Sequence, residues 1–518
     1  MAEWKREPLS ALGKDPYDVV IAGAGVNGAS AAKTLTAEGY RVLIVDKSDF
    51  ATGSSGRSSG LMHCGLRYLE PNPTFWNFVK RPDKLLVALK MARQTMRDRT
   101  EFARNNPDRA APYASHFPIY KGSHYKLWQL RLGLWTLDFL AGRGGEPLDR
   151  AILTKDEVRA NPLLRHMADI DGLAGVARFR EIRFNWPERI CLDMILDARH
   201  GGADARNHTA VTGMERDGDL WRVALRDGPT GAEGFVTARR VYNAAGIWID
   251  RVNQASRPTA KRYIAGTKGA HIVVKLPPEM AGQGIVSLNS LKEPIYGIPW
   301  RGFHYFGPTE THYHGDPDAI SVTEDEVSFL LREANALLPG LALKRDDVVF
   351  TWAGVRPLGF APGYPEGKRS REIHDLTSEG LPGVYAMTAG TIMMHKSAGR
   401  AFLKVLRPGL APSGPKRDVN RPNPAPNSDS PLLGNEPGTV SEAEVVRSAR
   451  EEIPLTLTDL MVRRLGLSWT FSQGRGHARR VAEIAGPVLG WDDARIDAET
   501  EAYLTYLEKI HTVHKDAE

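Results

Sequence analysis

Hydrophobic positions along the chain recur with several distinct periods. Near the N-terminus Val19, Val20 and Ile21 form a continuous apolar run that meets glycines at 23, 25 and 28 and continues in small helix-forming residues. That order predicts a buried strand, a tight turn and a helix; a second apolar run, Val42 to Val45, predicts a strand ending on Asp46. From Arg81 to Arg104, and again from Lys121 to Leu140, apolar residues recur at helical spacing. The second stretch mixes Trp128, Trp135 and Phe139 with Lys121, Lys126 and Arg131, a composition suited to a buried domain helix or to a membrane interface. Between Gly175 and Ala210 the pattern predicts a short strand, a helix beginning near Pro187 and a strand after Gly201 and Gly202. Trp221 to Leu225 and Phe235 to Val241 alternate like hairpin strands. The latter leads into the small residues Ala244, Ala245 and Gly246, an ending that recurs at Val384 to Gly390 and lets backbone approach a bound group.

Short β-like runs between Lys268 and Arg356 predict an antiparallel sheet, interrupted by an amphipathic helix over Glu324 to Leu338. Pro408 to Pro437 is loaded with Pro, Gly, Asn and Ser, whereas Ser441 to His514 has only helical periodicity. The chain therefore reads as α/β combined with α+β. Segments 1–80, 171–262 and 351–407 return to one nucleotide-binding domain, 81–170 forms a mainly helical cap and 263–350 an antiparallel substrate-binding domain. A linker at 408–437 leads to a helical C-terminal domain at 438–518.

The glycine triplet carries specific chemistry. Gly23 suits a sharp turn, Gly25 lets backbone approach a pyrophosphate, and Gly28 lets the helix pack closely on the strand. The helix N-terminus at Val26 and Asn27 offers amide donors to phosphates, and Asp46 stands where a dinucleotide's ribose hydroxyls need a carboxylate. After Asp46 and Lys47 comes a loop too rich in Ser and Gly for regular structure, with Ser54, Ser55, Ser58 and Ser59 available to the nucleotide, followed by Leu61. His63, Arg67 and Tyr68 come next within one short segment, polar groups close to a cofactor loop. These residues, with Ala245, Gly246, Gly390 and Thr391 at the recurrent strand ends, make up the expected cofactor site and its border.

The chain has 518 residues, enough for several domains, and 42% hydrophobic residues, with no apolar run long enough to span a bilayer as a helix. Its N-terminal residues lack the apolar core of a secretory signal, which predicts a cytoplasmic chain. Cys64 and Cys191 share no metal-ligand spacing, so no metal site is expected. A net charge of +6 suits an anionic partner, but the basic residues are dispersed and no nucleic-acid motif is present.

Several long motifs together carry a family resemblance. The GAGVNG turn, SSGRSSGLMHCGLRYLE, KGAHIVV, GDPDAISVTEDEV, RDDVVFTWAGVRPL and the C-terminal AREEIPLTLTDLMVRRLGL are similar to those of the FAD-dependent glycerol-3-phosphate dehydrogenases, over nearly the full length. The resemblance implies FAD in a Rossmann-like domain of glutathione-reductase type, and oxidation of a small polyol phosphate to its ketone. It also implies that electrons pass to a quinone, with peripheral contact on the inner face of the cytoplasmic membrane. Gly23, Gly25, Gly28 and Asp46 would hold the ADP half of FAD, while Arg67, Tyr68, His271 and Arg356 would fall on the substrate side. Arginine forks suit a phosphate dianion. A neutral histidine suits removal of a hydroxyl proton, with His271 the first candidate and His63 the second.

The chain departs from the family pattern in two places. Where the family has Gly-Gly-Lys, it has Ala389, Gly390 and Thr391, with His395 and Lys396 a turn later; Thr391, His395 and Lys396 are carried as substrate-side candidates. Moving a cation in this way would suit a longer substrate such as erythritol phosphate, or would leave the substrate unchanged. Gly60 stands where many members have a basic residue. An oxygen-reducing oxidase of the same fold and a flavin-binding regulatory protein without turnover are the competing readings.

Overall fold

The computed structural model describes residues 6–66, 82–123, 125–421, 433 and 439–512. Its centre is an eight-stranded sheet in which Tyr17–Ala22 lies between Val42–Val45 and Glu233–Asn243, all parallel. Val384–Thr388 adds in parallel beyond Glu233–Asn243, and Asp204–Arg206 beyond Val42–Val45. The middle strands read as uninterrupted apolar runs because both faces are covered. Helices Val26–Ala37, Pro187–His200 and His395–Leu406 pack together on one face. On the other face a hairpin, Thr209–Asp217 and Leu220–Asp227, continues the start of Glu233–Asn243 and closes a core around Trp221 and Val241.

The second sheet has eleven strands and is mainly antiparallel. Its spine is the pairing of Ile264–Val274 with Val348–Ala361, extended through Phe303–Gly307, Pro294–Trp300 and Gln283–Leu288 to Ala110–Tyr120 and Leu173–Phe184. Segment 81–170 holds the long helices Pro82–Asn105 and Leu127–Ala141 and also contributes the sheet strand Ala110–Tyr120. Two expected boundaries are corrected: Leu173–Phe184 and most of Val348–Ala361 belong to this sheet and not to the nucleotide-binding one. Helix Pro82–Asn105 forms as the periodicity predicts, but the next helix begins at Leu127 and not at Lys121. Lys126 ends the extended entry: its N–H donates to Gln129 Oε1 at 2.9 Å, a cap that fixes the start.

The expected linker is in part fastened down. Gly414 and Arg417 donate backbone N–H groups to Gly39 and Ala37, and the Tyr40 hydroxyl donates to the Leu410 carbonyl. The C-terminal helices Glu442–Glu451, Ala478–Leu489 and Asp493–His511 close their own apolar core. They join the nucleotide-binding part through buried ion pairs. Asp49 receives both Arg463 and Arg464, and Glu452 receives Arg189 at 2.6 Å.

Candidate active site

The carboxyl ends of Tyr17–Ala22, Glu233–Asn243 and Val384–Thr388 open side by side, the place where parallel α/β sheets bind ligands. A cavity of about 480 Å³ runs from there to the second sheet. At its first end Gly23 takes a φ of +100°, and a Cβ on it would lie 2.7 Å from the Ala244 carbonyl oxygen. A Cβ on Gly28 would lie 1.9 Å from the Gly23 oxygen, so Gly28 seats the helix against the turn and is not itself on the cavity wall. Asp46 accepts the Ala24 amide at 2.7 Å and the Ser48 amide at 3.0 Å. Burial raises its pKa from 3.8 to about 6, against the pull of those amides.

The serine loop wraps the middle of the cavity. Ser55 Oγ accepts the Val26 amide at 2.9 Å and Ser54 Oγ donates to the Val355 carbonyl, which ties the loop to the start of helix Val26–Ala37 and to the second sheet. Ser58, Ser59, Leu61 and His63 also line the cavity, as do Gly25, Val26, Asn27 and Lys47. Ala245, Gly246, Gly390 and Thr391 form the opposite wall. A Cβ on Gly246 would meet nothing within 4 Å, and Ala389 and Gly390 both have φ above +50°, so the two strand ends present bare backbone to the space. Bare turns, a half-buried carboxylate at one end and an elongated cavity between two sheets suit a dinucleotide such as FAD.

The far end belongs to the paired strands of the second sheet. His271 stands opposite Trp352, and Arg356 opposite Thr267. The His271 ring stacks on Trp352 at 4.5 Å, and its Nε2 lies 2.8 Å from Ser59 Oγ. Burial and the Arg356 charge lower its pKa to about 3, so the imidazole is neutral. The neutral ring keeps a lone pair for hydrogen bonding, and the same burial and charge make it a weak base.

Two expected residues are not brought here. His395 is buried against Phe102 and Phe184, its Nδ1 at 2.9 Å from the Ile392 carbonyl, and Lys396 pairs with Glu101 at 3.0 Å. Helix His395–Leu406 turns its apolar face to the core and carries both side chains away from the cavity. The missing lysine is thus not replaced from the next turn. Arg67 and Tyr68 lie outside the described residues.

The cavity also has walls that motif reading missed. Arg57, Trp248, Tyr296, Glu310 and Arg369 line it, and Glu310 and Arg369 form an ion pair across its substrate end. Arg57 stood in plain view within the serine loop. Tyr296 comes from an interior strand of the second sheet, and Glu310 and Arg369 from segments just outside its strands, where the sequence has no distinguishing pattern.

Comparison with known proteins agrees with this geometry. Residues 18–393 match the family described as FAD dependent oxidoreductase, and residues 419–496 the C-terminal domain of alpha-glycerophosphate oxidase. The chain is 29% identical to a glycerol-3-phosphate dehydrogenase of Synechocystis over 81% of its own length and 74% of the relative's. It is 30% identical to an aerobic glycerol-3-phosphate dehydrogenase of Staphylococcus haemolyticus, over 76% and 68%. Its fold matches the crystal structure of the Bacillus halodurans glycerol-3-phosphate dehydrogenase complexed with FAD, with a TM-score of 0.72, 19% identity and 98% of each chain covered. The chain belongs to the FAD-dependent oxidoreductases, and within them to the glycerol-3-phosphate dehydrogenase family.

Proposed function

We propose that the protein oxidises the secondary alcohol of glycerol 3-phosphate or a slightly longer polyol phosphate. One observation carries this reading: a single cavity joins the dinucleotide turn and Asp46 at one end to a neutral His271 and to Arg356 at the other. FAD, when bound, supplies the hydride acceptor. Arg356 and Arg369 attract the phosphate dianion, and His271 or His63 accepts the hydroxyl proton. Thr391 in place of a lysine removes a cation at this point of the wall, which would suit a longer substrate or leave glycerol 3-phosphate as the substrate. Anaerobic titration of the purified yellow protein with three- to five-carbon polyol phosphates tests the reading. Bleaching is expected, and a flavin unchanged by the whole panel refutes it.

Electrons pass on to a quinone at the inner face of the cytoplasmic membrane in this proposal. No helix among the described residues is long and apolar enough to cross a membrane. Helix Leu127–Ala141 instead exposes Trp128, Leu132, Trp135 and Phe139, the last by 71%, beside Leu86 and Val87 of its neighbour. Lys121, Lys126 and Arg131 border this apolar face, as at a bilayer interface. Sedimentation with anionic vesicles is expected at low salt and weakened at high salt. No binding at either salt removes the membrane claim, and a peroxide yield equal to turnover makes oxygen the acceptor.

A further inference from the structure

Trp469 stands where two cores meet. The C-terminal motif ends at Leu467, which packs inside the helical domain's own apolar core. Two residues later Trp469 leaves that core and enters an aromatic cluster whose other buried members, Trp300, Tyr305, Phe350 and Trp352 among them, come from the second sheet. A short turn, Leu467–Trp469, makes the crossing, and Gly466 starts it at a φ of +67°, a left-handed angle that glycine adopts without strain. The segment is fixed just before the turn, because Arg463 and Arg464 both pair with the buried Asp49.

This cluster reaches the active site through Trp352. Side chains alternate between the two faces of a strand, so His271 and its cross-strand partner Trp352 share a face with Val273 and Phe350. The His271 ring lies on Trp352 at 4.5 Å with 11° between the planes, and Trp469 meets Trp352 edge-on at 5.9 Å and 78°. His511, at the end of helix Asp493–His511, lies 5.0 Å from Trp469 and pins the strand at the residue before Trp352. Its Nδ1 is 2.9 Å from the Thr351 carbonyl, and Thr351 Oγ1 donates to the His511 carbonyl at 3.2 Å. A void of about 20 Å³, walled by Trp352, Trp469 and Ser59 among others, borders the same rings. A ring beside a void has room to tilt once its brace is removed, and the ring stacked on it follows.

We propose that the C-terminal helical domain positions His271: Trp469 braces Trp352 edge-on, His511 holds the strand at Thr351, and together they set the plane of the imidazole that lies on Trp352. This rests on the alcohol oxidation argued above, in which His271 must meet the substrate's hydroxyl in one orientation. With the ring so placed, Nε2 stands 2.8 Å from Ser59 Oγ, beside the wall of the large cavity.

Trp469, His511 and Thr351 are not on the wall of the large cavity, so they touch neither substrate nor cofactor there; they are positioning residues and act through Trp352. The helical domain is thereby joined to both ends of the site. Through Arg463 and Arg464 it holds Asp49 in the loop that follows Asp46, and through Trp469 it holds the partner of His271.

Anaerobic stopped-flow reduction of the bound flavin by glycerol 3-phosphate tests this in two backgrounds, the parent and His271→Asn. In the parent, Trp469→Leu should keep its flavin and slow reduction by about 10²-fold, the cost of displacing a reacting group by about an ångström. Trp469→Phe keeps a ring in the same place and should recover most of the rate. In His271→Asn, Trp469→Leu should slow nothing further, because its effect passes through the imidazole. An unchanged rate in the parent overturns the proposal, and so does an equal loss in both backgrounds, which is what a merely structural role would give. If Trp469→Leu fails to hold flavin, Thr351→Val takes its place: it loses the bond to the His511 carbonyl and should slow the parent severalfold and His271→Asn not at all, with equal behaviour in both overturning the proposal. A second readout needs no substrate. In protein labelled with ¹³C at histidine Cε1, the His271 signal, identified by its absence in His271→Asn, lies in the ring current of Trp352 and should move in Trp469→Leu or Thr351→Val. A signal that stays in place overturns the proposal. If no polyol phosphate reduces the parent's flavin, the alcohol reading fails, and this signal decides whether the helical domain sets the ring of His271.

Discussion

Replacing Asp46 by Asn should separate what this residue contributes to the cofactor from what it costs the fold. Asp46 is half-buried at the end of Val42–Val45 and accepts two backbone amides, yet desolvation raises its pKa from 3.8 to about 6. The folded flavin-free chain therefore holds the proton more tightly than the unfolded chain. Stability must fall as pH rises through the window between those two values and stay level above it. The full difference amounts to about 3 kcal/mol at neutral pH, an upper value since cofactor and water relax the site. An asparagine keeps an acceptor for the Ala24 amide without carrying charge. Thermal unfolding of deflavinated Asp46→Asn should give a higher midpoint than the parent at pH 7.5, with the two converging near pH 4. Flavin affinity should drop at the same time, because a charge-assisted bond to a ribose hydroxyl contributes about 1.5–3 kcal/mol. Equal midpoints at both pH values, or a variant less stable at pH 7.5, would refute the claim that this carboxylate is held at a cost for the cofactor's sake.

Three further outcomes follow from single contacts. Gly28→Ala puts a methyl 1.9 Å from the Gly23 oxygen, so the helix must lift off the turn; we expect about 1–3 kcal/mol of destabilisation and a protein purified largely without flavin, read by its absorbance. Glu310→Gln removes the carboxylate that pairs with Arg369 at the substrate end and competes with a phosphate dianion; KM for the polyol phosphate should fall severalfold with kcat nearly unchanged, and a raised KM would contradict it. Arg464→Met takes one of two guanidinium partners from Asp49 in a fully enclosed site; a loss of about 3 kcal/mol in denaturant unfolding is expected, and a neutral result would mean that Arg463 alone satisfies Asp49.

The dinucleotide turn was legible because its requirements are local. Gly23, Gly28 and Asp46 lie within thirty residues, and each answers to a backbone angle, a steric limit or a carboxylate at the end of a strand. The small-residue strand ends at 244–246 and 388–390 were legible for the same reason. The domain boundaries at 171 and 351 were not, since Leu173–Phe184 and Val348–Ala361 are apolar strands that either sheet could have taken, and only their partners assign them. His395 shows the limit most plainly. Its position one turn beyond Thr391 suggested the cavity, and the amphipathic face of its helix turned it into the core.

By itself, then, the sequence determined the nucleotide turn, the two classes of sheet and the family. These follow from short-range periodicity and from motifs whose chemistry is complete within one segment. Tertiary structure alone decided that Ser59 meets His271, that Glu310 meets Arg369 and that Glu188 lies behind the serine loop. Each of those meetings joins residues more than fifty positions apart, on separate strands, loops or helices. Their proximity is set by how two sheets pack, which no local pattern encodes.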